Sequence, residues 1–167
     1  MLVTARAIPD LPGANLFEKS VVDPCDGQRP LRRILTALEN LATATMIAIP
    51  VDMLHVRVPY LRWVLDTLIG NTNALTMMCR AQSRAQIEPF PSVFRSVAKE
   101  AISAGIATNC LSVCQLCNDP QFIAVDAPND WSGDVWMTST IQTCSVFFNL
   151  HDAAISRRNR NETTNSW

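Results

Sequence analysis

Three cysteines at Cys110, Cys114 and Cys117 carry the residue types most able to do chemistry in this chain. If the stretch Ser92 to Cys117 is a helix, their i, i+4, i+7 spacing sets all three on one stripe. Thiolates so placed could ligate a metal such as zinc or iron or exchange electrons, with Cys144 or His151 as a further ligand or partner. A structural zinc site usually joins two ligand pairs, and Cys114-x2-Cys117 has no second pair to match it. The same stripe also contains Ile102, Ile106, Ala107 and Val113, and free cysteine is among the most buried residue types. The expectation is therefore that these cysteines are reduced core residues. A thiol or metal protein using Cys110, Cys114, Cys117, Cys144 and His151 is the alternative. No Ser-His-Asp set, P-loop, H-E-x-x-H or G-x-G-x-x-G pattern is present. Asp52 and Asp66 flank the start of the second helix without an evident partner. The reading is a non-enzymatic protein with no cofactor.

The elements that would position these residues read as helices. Five glycines in 167 residues are few for a sandwich or barrel rich in tight turns. Helix one is expected from Pro30 to Pro50, with Leu31, Ile34, Leu35, Leu38, Leu41 and Ala42 on one face. Its last turns, Thr43 to Ile49, are rich in β-branched residues, which fit a helix poorly. Helix two starts at Pro59 and runs to about Arg84, with a break at Gly70-Asn71-Thr72. Two prolines make Gln86 to Pro91 a loop. Helix three spans Ser92 to Cys117 and stops at Asn118-Asp119-Pro120. In the connector 118–133, Phe122, Ile123 and Val125 form a short strand or cover the end of the helices. Helix four begins near Asp134, with a strand over Val135 to Val146 as the competing reading. The fold expected is mainly α: an antiparallel four-helix bundle, up-down-up-down, over 31–156. An extended arm (1–30) precedes it and a polar tail (157–167) follows.

A net charge of −1 leaves no long-range steering by total charge, yet twelve of the fourteen cations are arginine. In an up-down-up-down bundle one pole would collect Arg29, Arg32, Arg33, Arg80, Arg84, Arg95, Lys99, Arg157, Arg158 and Arg160. The opposite pole would hold Asp52, Asp119, Asp126, Asp130 and Asp134. Cations at helix starts oppose the helix dipole, and such a conflict is more expected where an anion binds. Arginine forks suit phosphate. The function expected is an assembly or scaffold protein with an Arg-rich anion-binding pole. It would bind nucleic acid, RNA in particular, through its backbone, and self-associate head to tail into a homo-oligomer, coat- or nucleocapsid-like. A protein-interaction adaptor docking through Trp131, Trp136 and Trp167 is a further alternative. No signal peptide is legible, and Leu41 to Val51 is too short to span a bilayer. The chain is expected to be soluble and intracellular, cytoplasmic or within a particle, with no membrane or small-molecule partner.

Overall fold

The computed structural model describes residues 1–4, 15, 17–23, 30–81, 86–110, 112–131 and 133–136, and the backbone of 144–150. Its centre is a sheet. Seven strands take part: β1 (Leu2–Thr4), β2 (Ser20–Val22), β3 (Thr45–Pro50), β4 (Thr76–Ala81), β5 (Gln86–Arg95), β6 (Phe122–Asp126) and β7 (Cys144–Leu150). Their order is β2-β1-β7-β3-β5-β4-β6. β1 and β2 are parallel, as are β4 and β6, while β7 and β5 run antiparallel to their neighbours. It follows that β1, β2, β3, β4 and β6 all point the same way, so their carboxyl ends share one edge of the sheet.

Helices cover both faces. On one, α1 (Pro30–Glu39) and α3 (Ala98–Ala107) pack in a cluster with Met46, Ala48, Met78 and Phe94. On the other, α2 (Val58–Gly70) packs with Ile47, Ile49, Met77 and Val93. Neighbours along a strand go to opposite clusters, as the two-residue repeat of a strand requires. α1 forms where the helical spacing placed it, with Leu31, Ile34, Leu35 and Leu38 all buried. It stops at Glu39, and the Asn40 amide donates back to the Thr36 carbonyl at 2.9 Å.

The four-helix bundle is not what the chain forms; the architecture is mixed α/β. The segment Thr43 to Ile49, expected as the end of helix one, delivers strand β3, where β-branched residues pack well. Helix two ends at Gly70, and its expected second half is β4. The expected loop Gln86 to Pro91 and the expected start of helix three are together strand β5. Helix three is reduced to α3 because Asn109 adopts φ +65°, a left-handed conformation that ends a helix. Ser112 then caps a separate 3-10 helix, Val113–Asn118, through a reciprocal pairing with Gln115. The cysteines at 110, 114 and 117 therefore never share one helical stripe. Phe122 to Asp126 is a strand, and β7 falls within the expected helix four. Within the expected arm, β1 and β2 are part of the sheet. With the bundle goes the architectural basis for coat-like self-assembly and RNA binding. No described helix is long and apolar enough to cross a membrane.

Two side chains show what holds the layers together. Arg95, at the end of β5, donates from Nε to the Ala74 carbonyl (2.9 Å) and from Nη2 to the Leu68 carbonyl (3.0 Å). It thereby fastens the carboxyl end of α2 to the sheet. Arg95→Met is expected to cost about 1–3 kcal/mol of unfolding free energy in urea, because the Ala74 carbonyl loses its side-chain donor and the Leu68 carbonyl keeps only the Asn71 amide. Cys79 is fully buried in β4, and burial, reinforced by the charge of Glu88, pushes its thiol up to about 12. A raised value means that this thiol's stabilising term is complete below its ordinary value near 9. It is lost as pH rises from there through about 12. The wild-type chain should lose on the order of 2 kcal/mol between pH 8 and pH 11 relative to Cys79→Ala, whose profile is flatter, in urea melts across that range.

Candidate ligand site at the carboxyl edge of the sheet

An open α/β sheet binds its ligands outside the carboxyl ends of its parallel strands. At this edge the connector after β3 carries Asp52. Its side chain is buried, at 8% exposure, and its Oδ2 has no hydrogen-bond partner among the described residues. A buried ionised carboxylate is costly unless it is paired or holds a cation. Next along the connector are exposed Leu54, His55 and Arg57, leading into α2 at Val58. Pro59 suits that helix start, and Arg57 is held extended before it.

The same edge carries more charge. After β2, Asp23 is buried. It accepts a hydrogen bond from the Thr36 hydroxyl (3.3 Å) and lies 4.0 Å from Arg32 Nε in the first turn of α1. Arg33 is the next residue of that turn, and the Nε atoms of both arginines are buried without a hydrogen-bond partner. At the end of β4, Arg80 pairs with Asp126 at the end of β6, at 2.9 Å. The side of the edge toward α2 is aromatic. Trp131 contacts Tyr60 (4.6 Å between ring centres), Trp63 (5.2 Å, edge to face) and Trp136 (5.6 Å). Met53 belongs to the same apolar cluster.

The cations expected to share one pole divide between two edges. Arg32, Arg33 and Arg80 lie at the carboxyl edge. Arg95 lies at the opposite edge and is occupied with main-chain carbonyls, and exposed Lys99 follows it in α3. Arg29, Arg84, Arg157, Arg158 and Arg160 lie outside the described residues, as do His151 and Trp167. Cys144 is described only as the first backbone position of β7. Cys110 packs against the α1–α3 cluster, and no three metal-ligating side chains gather among the described residues. Trp136 is buried and Trp131 half-buried.

Burial raises the thiols of Cys114 and Cys117 above their ordinary range. Glu88 adds to this for Cys114 and the neighbouring thiol for Cys117, while Arg80 acts in the opposite sense on Cys117. A cleft of about 700 Å³ lies between α3 and the 3-10 helix, away from Asp52. Its carboxylate, Asp119, already accepts the Gln121 amide at 2.9 Å, so the unpartnered group remains at the other end of the sheet.

Sequence reasoning noted Asp52 but assigned it to an acidic pole. The signal that marks it is an apolar β-branched run, Met46 to Ile49, followed within three residues by an acid. That is the pattern of a buried strand delivering a carboxylate to its carboxyl end.

No protein-family model and no curated protein matches the chain. Among solved structures, a protein designated Aq1419 from Aquifex aeolicus VF5 is similar, with a TM-score of 0.62 and 13% identity. That match covers 80% of this chain and 68% of the other. Molybdopterin-guanine dinucleotide biosynthesis protein A from Archaeoglobus fulgidus is similar with a TM-score of 0.50 and 14% identity. This second match covers 68% of the chain and 55% of the Archaeoglobus protein. At these identities the likeness is one of fold: a mixed sheet with helices on both faces.

Proposed function

We propose that the chain binds a nucleotide at the carboxyl edge of its sheet, with Asp52 taking the divalent cation that accompanies the phosphates. The observation that carries this reading is the buried Asp52 carboxylate whose Oδ2 lacks a partner among the described residues. Mg²⁺ is commonly held by one or two carboxylates, with phosphate and water completing its octahedron. Asp52, with Asp23 and Asp126 already engaged by Arg32 and Arg80, is thus compatible with a metal carried by its nucleotide. Arg32 and Arg33 in the first turn of α1 suit the phosphate end, where a helix start adds exposed amides. The fold shared with a molybdopterin-guanine dinucleotide biosynthesis protein supports a nucleotide over other anions.

In this reading Asp52 would hold the cation, which would supply positive charge at the phosphate oxygens, as phosphoryl and nucleotidyl transfer require. The aromatic wall of Tyr60, Trp63, Trp131 and Trp136 limits water on the α2 side. The reading keeps the anion chemistry suggested by the arginines. It departs from the expectation of a non-enzymatic protein without a small-molecule partner.

Asp52→Asn keeps the shape of the side chain and removes the charge. Calorimetric titration with a guanine nucleotide and Mg²⁺ should show at least a tenfold weaker affinity in the variant. Its melting temperature should be equal or higher, since an unpaired buried charge is gone. Equal affinity in the two proteins, or no Mg²⁺ dependence in the wild type, would contradict the proposal.

A further inference from the structure

The 3-10 helix Val113–Asn118 carries Cys114 and Cys117 three residues apart. Side chains at i and i+3 eclipse in such a helix, which advances about 2.0 Å per residue. The two thiols therefore stand on one edge of it, their stems about 6 Å apart along the axis. Both side chains are half-buried, and each is free of any disulfide. Each thiol also has a neighbour across the fold. Cys114 Sγ donates to the Ile87 carbonyl of β5 (3.5 Å), and the Arg80 guanidinium acts on Cys117.

Two chemistries are open to such a pair, and the spacing separates them. A disulfide needs β-carbons about 3.5–4.5 Å apart, so closing one would draw the helix backbone in by roughly 1.5 Å. Two thiolates that share one metal ion at about 2.3 Å each are about 4.6 Å apart. Rotation about χ1 brings the sulfurs to that separation without moving the backbone. Ligand number then selects the ion. Zinc takes four ligands in a structural site and three protein ligands in a catalytic one, whereas no third ligating side chain joins this pair among the described residues. A soft d¹⁰ ion content with two thiolates remains, and thiolate ligands favour Cu(I).

We infer that Cys114 and Cys117 form a two-coordinate thiolate clamp for a soft monovalent metal ion, Cu(I) being the ion that fits. Binding breaks two S–H bonds and releases both protons to solvent, including the one that Cys114 donates to Ile87. Two S–metal bonds form, and neither sulfur nor metal changes oxidation state. The clamp with its ion carries one negative charge, which Arg80, itself paired with Asp126, offsets only in part. Glu88 near Cys114 opposes it, and so does the burial that keeps both thiols protonated. Because binding releases both thiol protons, affinity should rise with pH. The inference is independent of the nucleotide reading, which uses neither cysteine.

The test is an anaerobic titration of the full chain with Cu(I) against a chromogenic Cu(I) chelator. The wild type and the variants Cys114→Ser, Cys117→Ser and Cys110→Ser would be compared at pH 7 and pH 8. One ion per chain should be lost, or bound at least a hundredfold more weakly, in each of the first two variants. It should be kept in Cys110→Ser, and wild-type binding should tighten at the higher pH. Protection from alkylation in the wild-type chain, mapped by peptide mass spectrometry, needs no variant: Cu(I) should shield Cys114 and Cys117 together. Retained binding in the first two variants, loss in Cys110→Ser, or no joint shielding would overturn the clamp. So would a Cys114–Cys117 disulfide formed readily in glutathione buffer.

Discussion

Strand β3 has no exposed face, and the rest of the molecule is built on that constraint. Thr45 to Ile49 are all buried. β5 pairs along one side of the strand and β7 along the other. Met46 and Ala48 enter the layer formed with α1 and α3, while Ile47 and Ile49 enter the layer formed with α2. A slip of one residue would exchange these two sets, so the register of β3 is tightly specified. The connector leaving its carboxyl end therefore starts from a fixed place, and Asp52 is its second residue.

Several polar groups next to the core find partners. Arg95 holds two carbonyls, and the Thr36 hydroxyl donates to Asp23. Asp52 Oδ2, buried, has no hydrogen-bond partner within the described fold. Natural proteins accept such a local conflict most readily where a ligand resolves it. The sheet supplies the context: five strands end together at this edge, with two arginines in the first turn of α1 beside it. In the proposed reading, a cation and phosphate would balance the charge that the carboxylate alone leaves open.

Local pattern revealed part of this. The stripe Leu31, Ile34, Leu35, Leu38 is a helix in the sequence and in the structure. Pro59 marks the start of α2, and Phe122, Ile123 and Val125 form the short strand that their types allow. The sheet was illegible where an apolar run had no alternation to show. Met46 to Ile49 is buried on both faces, and a continuous apolar run fits the end of a helix as well as a central strand. The few glycines pointed away from a sheet, yet most strands here are joined through helices or longer connections, which need few tight turns. In the stretch around the cysteines, a left-handed Asn109 and a capping Ser112 divide what reads as one amphipathic helix. Asp52 was visible as an acid near a helix start. Its burial depends on strands distant in sequence, so the spacing after Met46 to Ile49 marks it only once that run is read as a strand.

The central claim is that the carboxyl edge of the sheet is where the chain meets its ligand. Hydrogen exchange, followed by peptide mass spectrometry with and without a guanine nucleotide and Mg²⁺, tests it most directly. The account predicts slowed exchange in the connector 51–57 and at the start of α1, with the opposite edge around Arg95 and Lys99 unchanged. No change at 51–57, or protection confined to the opposite edge, would contradict it.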